Sequence, residues 1–178
     1  MRPETDTQPV VISRDKLVLN ISGSRLVFCK LSILSPKFLM ASMEYFQLTE
    51  QNDLPGIGHF APFKVVLAIE DIVGRSRQNE VSNWLVEMGG KCVMICGDHC
   101  KSWEQSIRQA NLEQADIENM APQEFVMITT HEHERLRNVF WHAKKHARHT
   151  HVKINNILTI HIGSQNRSVE YLSMFEKA

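Results

Sequence analysis

Four short apolar runs recur along the last two thirds of the chain, and amphipathic stretches separate them. The runs are residues 63–70 (FKVVLAIE), 92–96 (CVMIC), 125–130 (FVMITT) and 157–162 (ILTIHI). Each run has the length of a strand, and an unbroken apolar run is typical of a strand that is covered on both faces. The pattern therefore predicts four core strands.

The intervals between these runs have helical spacing. Residues 77–88 form the first predicted helix, which ends at Gly89 and Gly90. A capping-box pattern with Ser102 at the N-cap predicts a second helix to residue 115. A third helix is predicted over residues 132–148, and a short fourth over residues 168–175. This alternation predicts a three-layer, Rossmann-like α/β domain with a mainly parallel sheet of about four core strands.

Residues 1–62 have a different texture and are predicted to be an N-terminal extension and lead-in loop, followed by the core domain at residues 63–178. Ser35 and Pro36 form a helix-start pattern, which predicts a helix over residues 36–46. Residues 51–62 are rich in glycine and proline and predict a loop. Short apolar runs in the extension predict edge strands.

The charge balance limits the class of partner. Lys plus Arg and Asp plus Glu each total 20, so the net charge is zero. This argues against a protein whose whole surface is positively charged and binds nucleic acid or membrane through that charge. No run approaches the roughly 18 apolar residues of a membrane span, and the polar N-terminus lacks a signal-peptide pattern. We therefore expect a cytoplasmic protein with reduced cysteines and no membrane partner.

Acidic residues and a histidine follow three of the predicted strands: Glu70 and Asp71, then Asp98, then His131. Because the carboxyl ends of parallel strands meet at one edge of a sheet, these four are candidate catalytic residues. Carboxylates bind hard cations such as Mg²⁺, and a carboxylate beside a histidine can transfer protons. The alternative is that the acids only cap helix N-termini, where the helix dipole favours negative charge.

The segment after the first strand (EDIVGRSRQ) has neither dinucleotide-binding nor P-loop glycine spacing, so no cofactor is expected. Candidate metal ligands are Asp71, Asp98, His142 and His146. The two histidines are spaced i, i+4, which allows both imidazoles to bind one transition-metal ion. The alternative is a solvated helix face, since no carboxylate on that face completes a tetrahedral set.

Two further features concern reactivity and interaction. Cys100 lies just before a predicted helix N-terminus, which would lower its thiol pKa; the alternative is an inert loop thiol. A cationic and aromatic stripe on the third helix is the predicted interaction surface: Arg137, Trp141, Lys144 and Arg148. Trp and Arg are favoured interface anchors, so a protein partner is expected, with nucleic acid the weaker alternative. An ordinary exposed face is the third interpretation.

Several stretches resemble a known family: FAPFKVVLAIED (60–71), EVSNWLVEMG (80–89), GDHCKSWEQS (97–106), FVMITTHEHE (125–134) and VFWHAKKHA (139–147). From about Met43 to the C-terminus, a region that includes all these stretches, the chain is similar to a family of small, uncharacterised bacterial proteins, a domain of unknown function. The resemblance implies a compact α/β domain and no established activity. Because it begins near Met43, Met40 or Met43 is a candidate translation start.

The sequence leaves two functional classes open. We favour a non-catalytic binding or regulatory module, because the strand-end loops contain neither a phosphate cradle nor an evident nucleophile–base pair. The alternative is a divalent-metal-assisted hydrolase or phosphotransfer protein that uses the acidic strand ends. The acids partly resemble those of response-regulator receivers, but one strand and the downstream lysine of that pattern are missing.

Overall fold

The computed structural model describes residues 18–21, 24–27, 43–115 and 120–178. The chain divides into two units, residues 1–39 and 40–178. In the first unit, strands β1 (Val18–Ile21) and β2 (Ser24–Val27) form an antiparallel two-stranded sheet. The second unit contains the α/β core.

The described part of the second unit has five strands: β3 (Met43–Leu48), β4 (Phe63–Ile69), β5 (Gly90–Gly97), β6 (Met127–His131) and β7 (Asn156–Ile162). Its four α-helices are α1 (Arg75–Glu87), α2 (Cys100–Gln114), α3 (Leu136–Lys145) and α4 (Ser168–Glu176). A single 3₁₀ turn, Gly58–Phe60, precedes β4. None of the described helices is long and apolar enough to cross a membrane.

The strand order in the sheet is β3-β7-β4-β5-β6, and all neighbouring pairs are parallel. The chain moves outward from β4 to β5 and β6, and then returns through α3 to place β7 on the other side of β4. The predicted α/β fold and its four core strands are confirmed. The edge strand β3 makes a fifth.

Two apolar cores lie on opposite faces of the sheet, because successive side chains of each strand point in opposite directions. On one face, Val65 and Leu67 of β4 pack in a core with α1 and α2. On the other face, Val66 and Ala68 pack in a core with α3 and α4. All seven residues of β4 are buried. This double coverage explains why β4 reads as an unbroken apolar run.

The predicted helix over residues 36–46 is wrong where the structure describes it, because Met43 to Phe46 belong to β3. Residues 36–42 lie outside the described part of the chain. The strand forms because its backbone pairs in parallel with β7, from Met43 opposite Ile157 to Leu48 opposite Ile162. Pairing between distant segments has overridden the local helix-start signal.

The predicted capping box on Ser102 is also wrong. Helix α2 begins at Cys100 with His99 as its N-cap, and the Ser102 hydroxyl lies 3.0 Å from Nε2 of Gln78. Helix α3 is shorter than the predicted 132–148. His133 has a φ of 64°, which places a turn before α3 instead of a first helical turn.

Substitution of Gly97 tests the junction at the end of β5. Gly97 has a φ of 104°, and a Cβ there would lie 2.0 Å from the carbonyl oxygen of Ile69. Gly97→Ala should therefore lower the free energy of unfolding by about 2–4 kcal/mol, measured by urea denaturation. Gly56→Ala is the matched control, since a Cβ there meets nothing within 4 Å. Equal stability of the two variants would contradict this account.

Candidate functional site

The strand ends that carry Glu70, Asp98 and His131 lie side by side, because β4, β5 and β6 are adjacent and parallel. The environments of the predicted site residues differ. Asp71 accepts a hydrogen bond of 2.6 Å from the backbone N–H of Ser164. Asp98 is exposed. Over residues 43–115 and 120–178 and the β1–β2 hairpin, no three His, Cys, Asp or Glu side chains form a ready metal-ligand set.

Glu70 is at the centre of a polar network that joins three elements. Its Oε2 accepts a hydrogen bond from His161 Nε2 of β7 at 3.0 Å, and its Oε1 accepts one from the Tyr171 hydroxyl of α4 at 2.9 Å. Arg167 donates a further bond to Oε1. Both carboxylate oxygens are therefore engaged by the chain's own donors.

The network continues beyond His161 to the edge strand. The Tyr45 hydroxyl of β3 lies 2.7 Å from His161 Nδ1, and it accepts a bond of 3.2 Å from the backbone N–H of Arg167. Tyr45 then has its own proton to donate to Nδ1, which leaves the His161 proton on Nε2 to face Glu70. His161 is fully buried. The arrangement ties β3, β7, β4 and α4 together.

Burial and charge bias the protonation of this network. Burial raises the pKa of Tyr171, and the neighbouring Glu70 raises it further. Burial also raises the pKa of Tyr45. The hydrogen bond from Arg167 lowers the pKa of Glu170. At neutral pH both tyrosines are hydrogen-bond donors, and Arg167 lies between two carboxylates.

A cleft of about 170 Å³ opens beside this network. The residues that line it include Glu70, Arg167, Tyr171, Cys96 and Glu134. Burial raises the pKa of the Cys96 thiol to about 12. Cys96 is therefore a protonated, weak nucleophile at neutral pH. With Glu70 already bonded, the cleft has polar walls but lacks an activated nucleophile–base pair in the residues that line it.

Four residues of this network were not predicted from the sequence: Tyr45, His161, Arg167 and Tyr171. Tyr45 fell within the wrongly predicted helix. His161 carried a usable signal, because an imidazole within an apolar strand must find a buried partner. Its partner could not be read from local spacing, since Glu70 is 91 residues away along the chain.

His131 is the centre of a second polar group. Its Nε2 lies 3.0 Å from the Thr129 hydroxyl, and its Nδ1 lies 3.2 Å from Glu134 Oε1. That second contact lacks hydrogen-bond alignment, so Nδ1 is buried without a partner. The rings of His131 and His142 are 5.0 Å apart, and those of His142 and His146 are 5.8 Å apart. Burial lowers the pKa of His142.

The predicted interaction stripe on α3 divides into two parts. Arg137 donates a hydrogen bond of 2.8 Å to the carbonyl of Lys177. Lys144 bonds to the carbonyl of Phe175 and lies 4.3 Å above its ring. These two cations hold the C-terminal end of the chain. Trp141, which is 49% exposed, remains on the surface of α3. Arg148 is also exposed but lies beyond the end of the helix, so its predicted place on α3 is wrong.

The outer strand β6 leaves a further surface uncovered. Phe125, just before the strand, is 48% exposed, and Met127 within it is 39% exposed. Helix α3 packs over β4 and β5, so it stands beside this face of β6. The outer strand β6 therefore has two exposed apolar side chains at or just before its start, Phe125 and Met127, and the helix that follows it in the chain, α3, carries the exposed Trp141.

The prediction of a low thiol pKa at Cys100 is wrong in direction. Cys100 is fully buried at the first position of α2. Burial raises the pKa of its thiol, and Glu132 adds to the increase. Removal of the thiolate from water outweighs the effect of the helix dipole here.

Together, the fold and these side chains define a small parallel α/β domain with a polar network at the carboxyl ends of its strands. The chain belongs to the family described as "Domain of unknown function (DUF7684)", whose family model matches residues 43–178. The predicted membership of an uncharacterised family from Met43 onward is confirmed. No curated protein and no solved structure is similar enough to the chain to match.

Glu70→Gln tests the network. The neutral amide loses the charge-assisted bonds from Arg167 and His161, and its NH₂ group faces donors. We expect the free energy of unfolding at neutral pH to fall by about 2 kcal/mol, measured by urea denaturation. Asp98→Asn is the control, because the exposed Asp98 side chain makes no hydrogen bond within the described residues. A change below about 0.5 kcal/mol in Glu70→Gln would show that the network adds little.

The thiols give a second test. Cys92, Cys96 and Cys100 are buried with raised pKa values, so they stay protonated below those values and react as pH rises toward them. In the folded protein at mildly alkaline pH, iodoacetamide should label these cysteines at least roughly 100-fold more slowly than in urea. Mass spectrometry of the alkylated peptides measures each site. Rapid labelling of Cys100 in the folded state would restore the low-pKa interpretation.

Proposed function

We propose that this protein is a non-catalytic, cytoplasmic binding module that takes an extended segment of a partner protein along β6. The observation that carries the proposal is the exposure of β6, which among the described residues has no strand on its outer edge and is exposed on the face beside α3. An outer strand presents backbone N–H and C=O groups that a partner strand can pair with.

The edge of β6 has few features that would prevent such pairing. The strand, MITTH, pairs with β5 along one edge. Among the described residues, no strand pairs with its other edge. Natural edge strands are commonly protected by proline, by lysine or by other charged residues that discourage pairing with a further strand. β6 has none of these apart from His131, whose side chain is buried. Its backbone is therefore suited to accept a further strand.

The open face supplies side-chain contacts. One face of β6 carries the side chains of Met127, Thr129 and His131. The ring of His131 lies 5.0 Å from that of His142 on α3. The exposed ring of Trp141 lies 4.4 Å from the ring of His146, and the ring of His146 lies 5.8 Å from that of His142, so a row of aromatic rings leads from this face of β6 to Trp141. An exposed Trp and an exposed Met offer anchor positions for alternate side chains of a bound strand.

The charges near Trp141 indicate the chemistry of the partner. Lys145 is exposed at the end of α3, and Arg148 is exposed in the segment that follows the helix. Burial lowers the pKa of Lys64, and the nearby Arg148 lowers it further. A partner segment with alternating apolar residues and an acidic flank fits this surface. Such a segment would be steered by opposite charge and anchored by apolar contact.

The alternative, a metal-assisted hydrolase or phosphotransfer protein at the acidic strand ends, has less support. Glu70 has both oxygens bonded, and Asp71 binds the backbone of Ser164. A Mg²⁺ or Mn²⁺ titration heat that Asp98→Asn abolishes would favour this alternative. The cytoplasmic assignment is supported by Cys92, Cys96 and Cys100, which are buried free thiols.

The binding proposal is tested by selecting a phage-displayed random peptide library on the tag-free protein. We expect enriched peptides with alternating apolar residues and nearby acids. Met127→Lys should weaken their binding at least roughly tenfold in fluorescence anisotropy, because it places a charge on the open face. Val169→Lys on α4 is the matched control, since Val169 is 82% exposed away from β6. The control should bind as the wild type does.

Three results would overturn the proposal. The selection could enrich no peptide, or Met127→Lys could bind the peptides as tightly as the wild type does. Alternatively, light scattering could show a dimer that Met127→Lys dissociates, which would assign the open strand to self-association instead of to a partner protein.

A further inference from the structure

We propose that His131, Glu134 and His142 form a binding site for a divalent transition-metal ion of the Zn²⁺ type, located between the end of β6 and α3. Imidazole and carboxylate groups are the ligands that such ions take in proteins. The site adjoins the acidic strand ends and the proposed peptide surface, because His131 belongs to both, but metal binding can be measured without a peptide.

His131 has the environment of a metal ligand. The residue is 7% exposed, and its Nδ1 has no hydrogen-bond partner. Its Nε2 lies 3.0 Å from the Thr129 hydroxyl. If Nε2 carries the proton and donates to that oxygen, Nδ1 presents a lone pair. Metal-binding histidines are commonly oriented in this way by a bond from the second ring nitrogen.

Glu134 lies where a second ligand is needed. Its Oε1 is 3.2 Å from His131 Nδ1, without the alignment of a hydrogen bond. Two ligand atoms at about 2.0–2.1 Å from a tetrahedral metal are separated by about 3.3–3.4 Å. In the tautomer that carries its proton on Nε2, the Nδ1 lone pair and the Glu134 carboxylate repel at this distance, and a cation placed between them converts that repulsion into binding.

His142 completes the set from α3. Its ring centroid is 5.0 Å from that of His131, and two imidazoles bound to one tetrahedral ion have centroids about 5 Å apart. The described residues contain no complete set of three ligands, so the His142 side chain must rotate to turn a ring nitrogen toward the ion. Water would occupy the fourth position.

The role of His146 distinguishes the proposed site from a simpler metal site formed by a histidine of α3 and the histidine directly after the helix. A metal bound only by the i, i+4 pair on α3 would need His142 and His146. The His146 ring, however, lies 4.4 Å from the ring of Trp141 and is exposed. If the proposed site is correct, metal binding requires His131 and Glu134 and does not require His146.

The experiment uses tag-free full chain and calorimetric titration with Zn²⁺, with Co²⁺ as a spectroscopic probe. We expect one ion per chain and the visible absorption bands of tetrahedral Co²⁺. Glu134→Ala and His142→Ala should each weaken binding at least roughly 100-fold, and Thr129→Val at least roughly tenfold through loss of the orienting bond. His59→Ala, an exposed histidine next to Phe60, and His146→Ala should bind as the wild type does.

Because His131 is buried, His131→Gln is used only after circular dichroism shows that it is folded; the exposed Glu134 variant carries the test otherwise. The proposal is overturned if no ion binds, or if Glu134→Ala and Thr129→Val leave the affinity unchanged. Loss of binding in His146→Ala with retention in Glu134→Ala would also overturn it, and would assign the ion to the helix pair.

Discussion

Everything in the core depends on the burial of β4 between two layers of helices. Each of its seven residues is withdrawn from water, and its two neighbours, β7 and β5, pair with it along its length. This single strand contributes side chains to both apolar cores. The position of Glu70 follows directly, because the first polar side chain after so apolar a strand emerges at the carboxyl edge, where the strands end.

The parts of the fold that the sequence could predict are those that local pattern determines. The β4 and β5 segments are apolar throughout because both of their faces are covered, and α4 lies within a residue of its predicted bounds. β3 was missed because β7 alone pairs with it among the described residues, and its residues MEYFQL also suit a helix. Its conformation is decided by β7, which is distant in sequence.

The candidate site divides in the same way. Strand-end positions identified Glu70, Asp71, Asp98 and His131 as residues at one edge, and the parallel order of β4, β5 and β6 places their strand ends together. Their roles remain predictions. The partners of Glu70 could not be foreseen, because they depend on β7 lying between β3 and β4. The approach of Glu134 to His131 likewise depends on the turn at His133.

The strand order has a consequence for how the domain is made. β3 precedes every other strand of the large sheet in the chain, yet its only strand partner among the described residues is β7, the last. Tyr45 and His161, which join these strands, are separated by 116 residues. Closing so long a loop is slow compared with local contacts. During synthesis on the ribosome, β3 must therefore wait, without its sheet partner, until almost the whole polypeptide has emerged.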